Sequence, residues 1–205
     1  MKILAINGSH RAGKNTATLL NLALEEARKA GAETKLVELS ELDITYCSGC
    51  NRCLAKPNCS LSDDMDELTE KMLAADGIIL GSPDYFGNVT ARMKCFIDRT
   101  RPLHMTANRL KGKVGGFVSM SGLDNCGSEA TNAVLGHFFA THEMLVVHPR
   151  PEGPVLGTGV TGSLMAGMEN GKPRWRRSVE EDPIALTMAR QLGKDMAELI
   201  ARLED

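Results

Sequence analysis

MKILAINGSHRAGKNT (Met1–Thr16) joins an apolar run to a glycine-punctuated loop and then to a helical pattern. Lys2–Ile6 (KILAI) lacks the polar alternation of a strand with one wet face, so it predicts a strand buried on both sides, as parallel sheets require. From about Thr16 to Ala30, the residues Leu19, Leu20, Leu22, Ala23 and Ala27 form one helical stripe, which Gly31 ends. Strand, glycine turn and helix in that order aim backbone N–H groups and the positive end of a helix dipole at the loop, which suits an anion. Gly8, Gly13 and Lys14 have the spacing of a nucleotide-binding G-x-x-x-x-G-K-[ST] loop. Asn15, however, stands where the magnesium-binding hydroxyl belongs, and Thr16 comes one place late. ATP hydrolysis would also need an Asp directly after an apolar strand, and turn residues separate Asp84 from its run. Hydroxyls of Ser9 and Thr16, the Arg11 guanidinium, and donors from Asn15 and Thr16 fit a phosphate held without magnesium.

The alternation repeats along the chain. Thr34–Leu39, Gly77–Leu80, Val114–Met120 and Met144–Val147 read as further strands. Between and after them, helices are expected from an N-cap at Ser62 to about Ala75, over the residues carrying Met93, Phe96 and Ile97 inward, from about Glu129 to Thr141, and from about Pro183 to Leu203. Acidic Asp63, Asp64 and Asp66 favour the start of the second helix. Such alternation implies an α/β fold with a parallel sheet covered on both faces, whose ligand binds at the carboxyl ends of the strands. Residues 1–205 read as one domain with a cysteine-rich loop at 46–60 and a long Gly/Pro-rich loop at 149–181. A patternless segment that long is usually functional or an interaction segment, and Gly153, Gly157, Gly159, Gly162, Gly167 and Gly171 lie in it.

The net charge of −2 gives no footprint for nucleic acid or an anionic membrane. No apolar stretch nears the ~20 residues that span a bilayer, and MKILAIN is too short and too interrupted for a signal peptide. A cytoplasmic protein is expected, in which the six cysteines stay reduced and a cluster of them points to metal or redox chemistry.

SPDYFGNVTARMKCFIDR (Ser82–Arg99) is the most specific stretch. It resembles the motif after the third strand of the flavodoxin-like NAD(P)H-dependent FMN reductases, which reads close to SPxYFGxxTxxMKxFxDR, and the resemblance extends over Met1–Val147. It implies a doubly wound five-stranded sheet of order 2-1-3-4-5 with FMN as cofactor. By the same resemblance, Ser9, Arg11, Asn15 and Thr16 hold the FMN phosphate, and Pro83, Asp84, Tyr85, Phe86, Gly87 and Asn88 wrap the isoalloxazine ring. Ser119, Ser121, Gly122 and Gly127 of SMSGLDNCGSE occupy the place of a segment against the pyrimidine edge, which is richer in glycine in relatives. Tyr85 and Phe86 could instead be core aromatics; their place on a loop, in a chain with five Phe, two Tyr and one Trp, argues for a ligand. Cys95 and Cys126 read as packing, and His10 as a solvated loop residue.

The activity implied is hydride transfer from NAD(P)H to the flavin, with electrons leaving to a quinone, an aromatic compound, free flavin or an iron–sulfur acceptor. The flavin supplies that chemistry, so no catalytic side chain is named. A carrier passing electrons between proteins, with a ferredoxin-like partner and little NAD(P)H activity, is the second reading. Family relatives assemble as homodimers or homotetramers, to which the 149–181 segment would contribute, with Trp175 within reach of a neighbouring flavin.

Cys47, Cys50, Cys53 and Cys59 are spaced C-x2-C-x2-C-x5-C. Three closely spaced thiolates can hold three irons of one cubane, with the fourth arriving after a short loop. Zinc ordinarily takes cysteine pairs a dozen or more residues apart. The spacing resembles the compact motif of the iron–sulfur flavoproteins, a branch of the same fold in which a [4Fe–4S] cluster lies beside the flavin. Two alternatives stay open: thiols without stable metal, as in relatives handled as plain reductases, and zinc.

Overall fold

The computed structural model describes residues 1–124, 126–152 and 159–204. Its elements run β1 (Lys2–Asn7), α1 (Asn15–Lys29), β2 (Glu33–Glu38), α2 (Met65–Ala74), β3 (Gly77–Pro83), α3 (Ala91–Arg99), α4 (Arg101–Met105), β4 (Val114–Ser121), α5 (Ser128–Thr141), β5 (Leu145–Val146), β6 (Val160–Ser163), β7 (Met165–Glu169), β8 (Lys172–Trp175) and α6 (Pro183–Glu204). The sheet has the order β2-β1-β3-β4-β5, all parallel, with β6 also pairing β4. Alternate strand residues divide between two cores. Ile3, Ala5, Ile79 and Val118 pack with Leu20, Leu24, Leu192 and Met196 of α1 and α6. Leu4, Ile6, Ile78, Leu80 and Phe117 pack with Leu68, Met72, Met93, Phe96, Leu135 and Phe139 of α2, α3 and α5. Burial on both faces is why these strands read as unbroken apolar runs.

Three expectations are corrected. The fifth strand is interrupted: Leu145 and Val146 pair with Val114 and Gly115, and β6 takes up the same edge opposite Val118–Ser121. The segment expected to lack pattern therefore carries strand β6, the antiparallel β7–β8 hairpin and a 3-10 turn at Val179–Glu181. Gly153 and Gly157, part of that expectation, lie outside the described residues. Ser62 does not cap α2, which starts at Met65; its hydroxyl bonds Asp66, while Asp63 Oδ1 accepts from Met65 N at 3.1 Å. Asp63 is held there by a stronger partner, Arg99.

That partnership fixes the cysteine loop to the fold. Arg99, whose side chain is fully buried, donates to both Asp63 oxygens at 2.6 and 2.9 Å and to the Thr45 carbonyl at 2.6 Å. Asp63 also accepts from Thr45 N, and Asp64 accepts from Asp43 N, so the entry and exit of the loop are pinned together. Arg92 and Cys95 donate to the carbonyls of Leu39 and Ile44 from the same face of α3, two turns and one turn before Arg99 respectively. Cys95 is buried as expected, and burial pushes its thiol pKa up.

Two tests follow from this packing. Gly193 of α6 lies against the α1 backbone, where a Cβ would overlap the Ala23 carbonyl oxygen. In an open helix Gly→Ala stabilises by about 1 kcal/mol, but G193A here should destabilise by about 1–3 kcal/mol in denaturant unfolding; a gain would contradict the close contact. The second concerns acid. Desolvation alone would raise the Asp63 carboxyl, but hydrogen bonds from Arg99, Thr45 N and Met65 N outweigh it and hold it at about 2. Against about 3.9 in an unfolded chain, this depressed value gives stability that is complete above pH ~4 and lost as pH falls through about 2. Wild-type stability should decline across that window and D63N should be flatter; equal slopes would contradict the clamp.

Candidate functional site

Three loops meet where β1, β3 and β4 deliver their carboxyl ends, and backbone contacts brace them against one another. Gly8 N donates to Gly81 O at 2.7 Å, the buried Thr90 hydroxyl donates to Gly8 O at 2.6 Å, and Asp84 N donates to Met120 O at 2.6 Å. Gly8 has no room for a side chain, since a Cβ would come within 2.7 Å of Met93. Thr90 also accepts from Met93 N, capping α3, so one residue ties the first loop to the helix that follows the second. Its signal in the sequence was the Thr just before a helical pattern.

The first loop is exposed from His10 to Lys14, and α1 opens with no side-chain cap on its N-terminal N–H groups. Fifteen residues of helix dipole therefore point at the loop with the donors unclaimed by side chains, an arrangement that fits a phosphate. Ser9 is buried, and its hydroxyl bonds the Arg11 backbone in both directions, so it shapes the turn. Asn15 Oδ1 accepts from Val179 N, which joins the 3-10 turn to the loop. Thr16 is buried with its methyl toward Gly81, and Arg11 extends from the exposed part of the loop. Glu38 accepts from Gly13 N at 3.0 Å and from the Asn7 side chain at 2.7 Å; sequence reasoning missed this brace, which arises only when β2 pairs with β1.

The second loop turns tightly at Tyr85–Asn88, with Phe86 and Gly87 both at positive φ (56° and 72°) and Tyr85 N bonded to Asn88 O. Asn88 Oδ1 accepts from Val89 N at 2.8 Å. This turn carries its aromatics outward: Phe86 is fully exposed and Tyr85 is 46% exposed, so neither is a core residue. The Tyr85 ring meets the His10 ring edge-on at 5.5 Å, which joins the aromatic wall to the first loop. Pro83 ends β3 beside it.

Asp84 turns away toward the third loop. Its carboxylate accepts from the Thr131 hydroxyl at 3.0 Å, and a Cβ on Gly127 would lie 2.6 Å from it, so Gly127 (φ 106°) leaves room for the carboxylate at the start of α5. Ser119 is buried and donates to Ser128 O, and Ser121 donates to Leu123 O. Gly122 is exposed at the tip. Cys126, expected to pack, is instead exposed.

The four cysteines of the second-strand loop line one small cavity, together with Ser48, Asn51, Asp98, Arg99 and Arg101. Arg101 bonds Asn51 at 2.8 Å, holding the loop at a second point. Cys50 lies 3.1 Å from the Ser60 hydroxyl; that contact and the Arg52 N–H lower its thiol to about 7. The sulfurs share the cavity without closing to a coordination sphere, and among the described residues no three His, Cys, Asp or Glu side chains are grouped tightly enough to hold a metal. Soft thiol donors around one space, an easily ionised thiol and cationic neighbours fit an anionic iron–sulfur cluster better than a hard cation. A groove lined by His10, Leu42, Tyr46, Arg92 and Cys95 runs between the phosphate-type loop and the start of the cysteine loop.

Comparison with known proteins agrees with this geometry. The family model described as NADPH-dependent FMN reductase matches residues 1–150. An iron–sulfur flavoprotein of Methanocaldococcus jannaschii is 40% identical over 201 residues, covering 98% of this chain and 97% of its own. One of Archaeoglobus fulgidus is 40% identical over 199 residues, covering 97% and 95%. In fold, the chain is similar to a WrbA-like flavodoxin from Agrobacterium tumefaciens at a TM-score of 0.60, with 18% identity over 98% of this chain and 97% of that one. The exposed aromatic turn, the uncapped helix and these matches lead to one conclusion: the chain belongs to the NADPH-dependent FMN reductase family of flavodoxin-like, FMN-binding oxidoreductases.

Proposed function

We propose that this oxidoreductase takes electrons from NAD(P)H and passes them to a small quinone, aromatic or flavin acceptor or to a ferredoxin-like protein, with a [4Fe–4S] cluster in its four-cysteine loop. The observation that carries the cluster reading is the gathering of Cys47, Cys50, Cys53 and Cys59 around one cavity. FMN, when bound, supplies the exchange between hydride donors and one-electron acceptors, and a cluster supplies single-electron transfer.

The chain's own residues have separable tasks in this reading. The N–H groups at the start of α1, with Arg11, Asn15 and Thr16, bind the phosphate; Ser9 and Glu38 hold the loop in shape. Pro83, Tyr85, Phe86, Gly87 and Asn88 flank the ring, and Asp84 sets the distance to the Ser119–Gly127 loop by its bond to Thr131. Cys47, Cys50, Cys53 and Cys59 hold the cluster. The β7–β8 hairpin exposes Met168 and Trp175, and a lone two-stranded hairpin is marginal in water. Both features support a homodimer or homotetramer in which the hairpin is covered, a state that size-exclusion chromatography reads directly.

Protein purified without oxygen should show flavin bands plus broad absorbance near ~400 nm, with about four iron and four sulfide per chain. C50S should lose the iron and keep the FMN, because Cys50 is exposed and supports no core packing. Iron retained in C50S would count against the ligand assignment. Rapid bleaching of the flavin by NADH or NADPH supports the reductase; bleaching by reduced ferredoxin or dithionite alone would favour a carrier.

A further inference from the structure

One nitrogen of the Arg99 guanidinium, Nε, is left by the fold without a partner among the described residues. The NH1 and NH2 groups are taken by Asp63 and the Thr45 carbonyl, whereas Nε is buried. A buried donor without an acceptor costs about 1–3 kcal/mol, and more when the group is charged, so its survival at the head of this clamp calls for an acceptor. Arg99 lines the four-thiol cavity, and its NH1 and NH2 hydrogen bonds go to Thr45 and Asp63, at the entry and exit of the cysteine loop. A guanidinium is charged at any pH the fold survives, so Arg99 brings a fixed positive charge to the wall of the thiol cavity. A clamp alone would not need this placement, since Asp63 could pair as well with a cation reaching in from solvent.

We infer that Arg99 is a positioning and charge-setting residue of the four-thiol cavity, keeping its Nε–H for the sulfur donors there and raising the reduction potential of the group they hold. The inference rests on the cluster reading above. Reduction adds a negative charge, which a buried guanidinium and an N–H···S bond both stabilise, and hydrogen bonding to sulfur and net charge are levers that set cluster potentials. Asp63, bonded to the far side of the same guanidinium, acts in the opposite sense.

The opposed signs give the test. Wild type, R99Q, R99K and D63N are purified anaerobically, assayed for iron and sulfide, and titrated with dithionite and mediators while the reduced-cluster signal is followed by electron paramagnetic resonance. R99Q should lower the cluster potential, D63N should raise it, and R99K, which keeps the charge but not the planar fork, should fall between R99Q and wild type. A purely structural role predicts shifts in the same direction for R99Q and D63N, or none, and either result with iron retained overturns the inference while leaving the cluster reading intact. Should R99Q lose its iron, D63N decides alone: a rise supports the inference, and no change or a fall overturns it. Wild-type protein without iron would overturn both the inference and the reading beneath it.

Discussion

The contact on which the site depends is the near-touching of two backbones, Gly8 against Gly81, at the carboxyl ends of β1 and β3. Neither position tolerates a side chain: a Cβ at Gly8 would strike Met93, and one at Gly81 would strike Leu20 and Thr16. Helices α1 and α3 thus press on this junction from opposite faces of the sheet. Because the strands meet so closely, the Thr90 hydroxyl can reach across to Gly8 O, and the start of α1 is set beside the aromatic turn. The phosphate-type loop and the aromatic wall are consequences of one packing decision.

Helix α3 extends that decision to the cysteines. Arg92, Cys95 and Arg99 use one face of it to hold the chain between β2 and α2, and Arg101 follows at the start of α4. The motif MKCFIDR thus has two sides. Met93 and Phe96 enter the core, while Cys95 and Arg99 fasten the loop that carries the thiols. Removing one partner of a buried pair such as Arg99–Asp63 costs about 3–5 kcal/mol, because the other charge is then left uncompensated. The clamp that fixes the two ends of the cysteine loop thus also forms part of the wall of the thiol cavity.

Much of this was legible in the sequence because parallel strands buried on both faces leave unbroken apolar runs, and their helices leave stripes. KILAI, GIIL and VGGFVSM need no partner to be recognised. What escaped was decided by tertiary pairing. Val160–Ser163 (VTGS) has too little apolar content to signal a strand, and becomes one only because the upper half of β4 has a free edge. Ser62 looked like a cap because Asp63 looked like an ordinary first-turn acid, yet Asp63 is claimed by Arg99, 36 residues away. Asp84, after β3, and Ser119, within β4, were expected beside a ring, and the bonds they make to Thr131 and Ser128, which brace one loop against the next, could not be read from spacing. Residue type and spacing reveal which loops matter, but not which side chain in a loop faces the ligand.

The central claim is that the first loop and the uncapped start of α1 form a phosphate site and that the outward aromatics serve the ring attached to it. Titrating flavin-free protein with FMN and with riboflavin, and following the quenching of flavin fluorescence, tests this directly. The phosphate should contribute about 3 kcal/mol through charge-assisted hydrogen bonds, so FMN should bind about 100-fold more tightly than riboflavin. Equal affinities would contradict the account.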